Sequence, residues 1–112
     1  LDVTKFDIAL YKGTKILETG TSNLLFVKSN KIFSPNNDCY KGTTIKFFSK
    51  KVKIKFKNIF IKDVKSFDEI LIVGSGKGIV SVSSIDSNLW KRKSLKLYKK
   101  LIKIYKLQAN KN

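Results

Sequence analysis

The stretch Phe67–Asp86, FDEILIVGSGKGIVSVSSID, decides what kind of domain this sequence builds. Its first part, Glu69–Val73 (EILIV), is an unbroken apolar run of strand length. A strand with one wet face alternates apolar and polar residues, so a continuous run reads as a strand buried on both faces. The glycine cluster Gly74, Gly76 and Gly78 follows, and Ile79–Val82 reads as a second strand. Two nucleotide-loop readings of the glycines fail. A P-loop needs a glycine where Leu71 stands and a Ser or Thr where Gly78 stands, and a dinucleotide fingerprint needs a helix where a strand is predicted. What remains is a glycine-rich turn. It either serves the chain alone or turns its backbone amides and the Ser75 hydroxyl toward an anion.

Working outward, Leu24–Lys28 (LLFVK) and Lys31–Phe33 flank Ser29-Asn30, the pattern of a β-hairpin. Upstream, Lys5–Tyr11 and Lys15–Glu18 read as strands around a Lys12-Gly13 turn. Downstream, Ser34–Lys41 holds the single proline, Pro35, with Asn36, Asn37 and Asp38, and reads as a loop. Thr43–Lys51 suits a short helix with a threonine as its amino-terminal cap. Val52–Phe56 (VKIKF) alternates like a half-buried strand, and Asp63–Phe67 fits one helical turn. From Lys91 to Leu107 a basic amphipathic helix is predicted, with Leu95, Tyr98, Leu101, Ile102 and Tyr105 on one face. The order of strands, helix, strands, helix gives an α/β or α+β domain, residues 1–112 forming a single one.

The chain has 112 residues, 42% of them apolar, enough for a core with little margin. No apolar run reaches the roughly 18 residues of a membrane helix. Cys39 is alone and histidine is absent, which removes internal disulfides and Cys/His metal sites. A cytoplasmic protein with no membrane partner is expected. The chain begins at Leu1 and holds no methionine, so a processed or partial chain is expected. Net charge is +16, from 24 Lys+Arg against 8 Asp+Glu. Such an excess suits nucleic acid or an anionic surface. Yet Arg92 is the single arginine, and arginine is the residue whose planar fork reads phosphates and bases bidentately. The lysines are spread along the whole chain beside abundant Asn, Ile and Phe, as AT-rich coding produces. No specific nucleic acid is expected.

Three places could carry chemistry. Gly42-Thr43-Thr44 opens a helix, where free N–H groups and the helix dipole favour phosphate; the plainer reading is an ordinary threonine cap. Glu18 stands between apolar Ile16-Leu17 and Leu24-Leu25-Phe26, so its carboxylate is expected to be partly buried and in need of a partner. That partner is either a surface lysine or a cationic ligand group. Trp90 and the basic helix after it read as packing elements with a solvated lysine face.

Together these segments resemble the class IV aminotransferases, from about Asp7 to the end of the last helix. ILETGTSNLLFVKSNKIFSP looks like the family's glutamate strand, Asn-Leu-Phe step and hairpin. KGTTIKFF resembles its Gly-Ile-Thr helix start. FDEILIVGSGKGIVSVSSID resembles its Asp-Glu strand, Gly-Thr turn and Pro-Val strand. Three motifs in the family's order make the resemblance specific. It implies a carboxyl-terminal lobe like that of D-amino-acid aminotransferase: a twisted, mostly antiparallel pseudo-barrel sheet with flanking helices and a carboxyl-terminal helix.

The resemblance also implies pyridoxal 5'-phosphate as cofactor and assigns roles. Glu18 matches the glutamate that pairs with the pyridine nitrogen. Gly42, Thr43 and Thr44 match the phosphate cup. Ser75 stands for the threonine of the second phosphate turn, and Gly76 offers a backbone N–H beside it. Asn23 matches a structural asparagine behind the glutamate. Ile45 replaces an arginine often found in the family, and Ser81 stands at the proline position. The Schiff-base lysine belongs well upstream of the glutamate. Lys12 and Lys15 are too close to Glu18 for that role, so this lysine is expected before Leu1 and no catalytic residue within 1–112, which alone should be inactive. The activity implied is aminodeoxychorismate lyase, giving 4-aminobenzoate and pyruvate for folate synthesis from a small-molecule substrate, in a homodimer, with the lobe ending a fused aminobenzoate synthase. The alternatives are a branched-chain or D-amino-acid aminotransferase and, from another class, a lysine-rich nucleic-acid-binding module.

Overall fold

The computed structural model describes residues 11–12, 15–16, 23–35, 42–74, 78–85 and 90–109. In chain order the strands are β1 Tyr11–Lys12, β2 Lys15–Ile16, β3 Asn23–Lys28, β4 Lys31–Pro35, β5 Ile54–Lys57, β6 Ile59–Phe60, β7 Glu69–Gly74, β8 Gly78–Ser81, β9 Ser84–Ile85 and β10 Trp90–Lys91. The centre is a five-stranded sheet in the order β5-β4-β3-β7-β8, beside a three-stranded sheet β1-β2-β6 and a two-stranded pair β10-β9. Helix α1 is Thr43–Lys51, a 3-10 turn covers Ile61–Ser66, and helix α2 is Lys96–Ala109. The class is α+β with a mostly antiparallel sheet, as the sequence implies.

The EILIV run lies in β7, every residue of which is buried. It pairs antiparallel with β3 from Asn23↔Val73 to Val27↔Glu69, and with β8 from Leu71↔Ser81 to Gly74↔Gly78. Side chains alternate across a strand, so these two strands feed two cores. Leu24, Phe26, Ile70 and Ile72 pack with Ile59, Val64, Phe67, Val82 and Trp90 on one face. Leu25, Val27, Leu71 and Val73 pack with Ile45 and Phe48 of α1 and Leu97 and Leu101 of α2 on the other. Each fully buried Leu, Ile or Phe contributes roughly 1.5–3 kcal/mol, and removing either cover would strip one face of that burial.

The hairpin between β3 and β4 turns at Ser29 and Asn30, with φ of 50° and 66°. Two left-handed residues are what a twisted two-residue hairpin needs. Asn tolerates that region, and Ser29 is held there by its N–H donating to Asp68 Oδ2 at 3.2 Å. Strand β4 then pairs parallel with β5, Ile32↔Ile54 to Pro35↔Lys57, so the chain must cross over between them, and α1 is that crossover.

Three expectations need correction. Ser34 and Pro35 belong to β4 and are not loop: the Ser34 hydroxyl donates to the Leu24 carbonyl at 2.7 Å, and Pro35 ends the strand. The cap of α1 is Gly42, not a threonine. The final helix starts at Lys96, not Lys91. Trp90 and Lys91 pair with Ile85 and Ser84 instead, and the Trp90 indole N–H donates to the Phe67 carbonyl at 2.9 Å. Leu95 therefore precedes α2, whose inward residues are Leu97 and Leu101, with Tyr98, Ile102, Ile104 and Tyr105 packed beside them. Of the predicted strand 5–11, residues 5–10 lie outside the described residues, as do 17–18 of the next one.

The start of α2 is closed by the chain itself. Glu69 is 1% exposed, and its Oε2 and Oε1 accept the N–H groups of Leu97 and Tyr98 at 2.8 and 3.0 Å. The Ser94 hydroxyl accepts from the Lys96 N–H at 3.0 Å. A buried carboxylate is costly unless hydrogen-bonded, and here the helix start supplies the donors.

Candidate functional site

The start of α1 is built differently. Gly42 at the cap has no side chain to offer, and no acidic residue stands in the first turn, while Lys50 and Lys51 occupy the last. The intrahelical ladder begins with the Lys46 N–H donating to the Gly42 carbonyl at 3.2 Å. The N–H groups of Thr43, Thr44 and Ile45 therefore have no partner within the helix. Basic residues at the far end suit the negative pole of the helix, and the positive pole is left without an anion from the described chain.

Asn23 fixes where this open end points. Its side chain is 6% exposed, and its Oδ1 accepts the Gly42 N–H at 3.0 Å. Asn23 begins β3 and faces Val73 across the sheet, so the helix start is tied to the end of the sheet where β7 runs out at Gly74. Among the described residues, that end of the sheet carries the Gly42–Thr44 helix start. Thr44 is buried and Thr43 exposed, so the two hydroxyl-bearing residues do not share an environment.

Gly42, Thr43 and Thr44 are thus placed together at one helix start. Glu18, Ser75 and Gly76 lie outside the described residues. Sequence reasoning missed that the Asn23 acceptor oxygen serves Gly42, 19 residues away; its expected place behind Glu18 falls on a residue outside the described ones. The signal that could have found it is the glycine before Thr43-Thr44, since a cap without a side chain must be held from elsewhere. The same reasoning missed Glu69 as the cap of α2. Among the described residues, no cluster of three or more His, Cys, Asp or Glu could hold a metal, and no helix is long and apolar enough to cross a membrane.

An uncapped helix start with backbone N–H groups and a threonine hydroxyl is chemically suited to a phosphate dianion, a match that gains roughly 0.3–1 kcal/mol from the dipole when exposed and up to about 2 when partly buried.

Comparison with known proteins gives the family and the fold. The sequence profile of the family described as amino-transferase class IV matches residues 3–85. An aminotransferase of Brucella abortus, solved bound to the cofactor PLP, superposes with a TM-score of 0.73 at 23% identity, covering 87% of this chain and 36% of that one. A branched-chain amino acid aminotransferase of Thermobaculum terrenum in its PLP form gives 0.72 at 18%, covering 83% and 33%. The 4-amino-4-deoxychorismate lyase of Pseudomonas aeruginosa gives 0.69 at 22%, covering 80% and 35%. At these identities the likeness is one of fold, and the chain spans about a third of the length of each of these proteins.

Proposed function

We infer the function from one premise: this chain belongs to the class IV aminotransferase family. On that premise we propose that it is the cofactor-binding lobe of a pyridoxal-phosphate enzyme and that the start of α1 seats the phosphate. The observation that carries the reading is the Asn23–Gly42 bond, which holds an uncapped helix start at the end of the sheet.

The chain's own residues would divide the work. The N–H groups at Thr43, Thr44 and Ile45 and the Thr44 hydroxyl bind phosphate oxygens, and Asn23 keeps those donors aimed. Ser75 and Gly76 supply a hydroxyl and an N–H from the turn after β7. The Glu18 carboxylate would pair with the ring nitrogen and keep a proton on it. Bound pyridoxal phosphate would supply an electron sink for negative charge at the substrate's α-carbon. Held at the phosphate and at the ring nitrogen, the flat ring would be fixed for reaction with the Schiff-base lysine. We place that lysine in the part of the fold that this chain does not span.

For the reaction we favour the lyase, with 4-amino-4-deoxychorismate as substrate and 4-aminobenzoate and pyruvate as products. It is supported by the fold likeness to the Pseudomonas enzyme and by a loosely kept motif set, with Ile45 and Ser81 at the two departing positions. Branched-chain or D-amino-acid transamination is the alternative, and the Thermobaculum likeness supports it to a similar degree. To test the reading, the protein is produced with the sequence upstream of Leu1 and mixed with pyridoxal phosphate. A yellow protein whose colour becomes a borohydride-stable lysine adduct is expected, and 4-aminobenzoate should form from aminodeoxychorismate. A colourless protein overturns the cofactor reading. A yellow protein that transfers amino groups and makes no 4-aminobenzoate overturns the lyase alone.

A further inference from the structure

The opposite face of the same sheet carries a cleft that the cofactor reading leaves unused. It measures about 420 Å³ and is bordered by Lys28, Lys31 and Lys57, with Phe33 and Phe67 beneath and Asp63 as the one acid among the described residues that line it. Phe33 packs against the core on this face, while α1 packs on the other, so the sheet itself separates the cleft from the start of α1.

The lysines come from three adjacent strands, and pleat alternation puts them on one face. Lys28 and Lys31 are direct cross-strand partners, a like-charge pair that costs stability when nothing lies between them. Lys57 is on edge strand β5, and its ammonium sits 4.4 Å from the centroid of the Phe33 ring. That cation–π contact places a charge over the cleft floor that would otherwise sweep freely through solvent. On this face the cover is the 3-10 turn Ile61–Ser66, which lends Asp63 and Ser66 to the cleft, since α1 and α2 both pack on the other one. The result is a concave pocket, of the size of small-molecule sites, lined by three lysines and, among the described residues, one carboxylate.

We propose that this cleft is a second anion site, for an organic phosphate monoester, separate from the candidate site at α1. Lysine binds phosphate as a point charge without demanding a fixed fork, and a dianion between Lys28 and Lys31 turns their repulsion into shared attraction. The volume exceeds what a bare phosphate fills, leaving room for an organic body beside it.

The test uses the full-length protein, first loaded with pyridoxal phosphate, reduced with borohydride to fix the cofactor covalently, and desalted, so that the α1 site is occupied and the cleft is free. Phenyl phosphate is then titrated by calorimetry. Saturable binding at one site is expected. Lys28→Ala/Lys31→Ala should weaken it roughly tenfold or more, from the loss of charge-assisted contacts. The charge-matched Lys103→Ala/Lys106→Ala pair, on exposed positions of α2, should change it less than about twofold, since distant exposed charges are screened. Without ligand, the Lys28/Lys31 variant should melt no lower than the parent. Equal loss in both double variants, or no saturation, reduces the effect to bulk charge and overturns the proposal. Tighter binding of phthalate than of phenyl phosphate overturns the phosphate assignment. If pyridoxal phosphate itself fails to bind, the cofactor reading falls, while the contrast between the two lysine pairs still decides this one.

Discussion

At the start of α2 the chain supplies its own anion: the Glu69 carboxylate, 28 residues earlier on β7, accepts the Leu97 and Tyr98 N–H groups inside the core. At the start of α1 the described residues supply none. The cap is a glycine, the first turn has no acid, and the Asn23 side-chain oxygen accepts the Gly42 N–H. Both helices cover the same face of one sheet, so packing does not explain the contrast. A closed helix start serves stability, and an open one held in place serves an outside anion. The two ends should therefore respond oppositely to added negative charge.

The largest effect should come from Glu69→Ala. It orphans two buried helix donors and should cost on the order of 3 kcal/mol in urea unfolding; a loss under about 1 kcal/mol would break the account of α2. Asn23→Ala should cost about 1–2 kcal/mol and also weaken pyridoxal phosphate. Asn23→Asp keeps the acceptor for Gly42 but adds a charge beside the proposed phosphate seat. It should recover much of the stability and bind the cofactor no better than the alanine variant.

Gly78→Ala tests the far end of α2. Gly78 has φ +70°, and an added Cβ would stand 3.1 Å from Cε2 of Tyr105, so a loss of about 1–2 kcal/mol is expected by thermal melting. Cofactor affinity should hold if α2 is purely structural. The smallest change in stability belongs to Thr43→Glu, which gives the first turn of α1 the acid it lacks. It should raise stability by roughly 0.3–1 kcal/mol while lowering affinity for a phosphate-bearing ligand.

How much of this was legible follows from how far each interaction reaches. The Ser29-Asn30 hairpin, the doubly buried β7 and the bounds of α1 are written in neighbouring residues and were readable. The threonine cap was misread because local preference favours a hydroxyl at the cap, while Gly42 is held by a residue 19 positions away. The start of α2 was misplaced because Trp90 and Lys91 join a strand pair and the indole bonds to Phe67, contacts that no local periodicity shows. Glu69 looked like one residue of a strand until α2 was seen above it. At the candidate site, the anion-friendly Gly-Thr-Thr start was legible. Its support by Asn23 was not.

The central claim is tested most directly by comparing pyridoxal phosphate with pyridoxal, which lacks the phosphate, as ligands of the full-length protein and of its Thr43→Glu variant. The account predicts a strong preference of the parent protein for the phosphate form, cut by roughly tenfold in the variant with pyridoxal affinity unchanged. Equal affinity for the two compounds in the parent, or a preference that survives the added carboxylate intact, would contradict it.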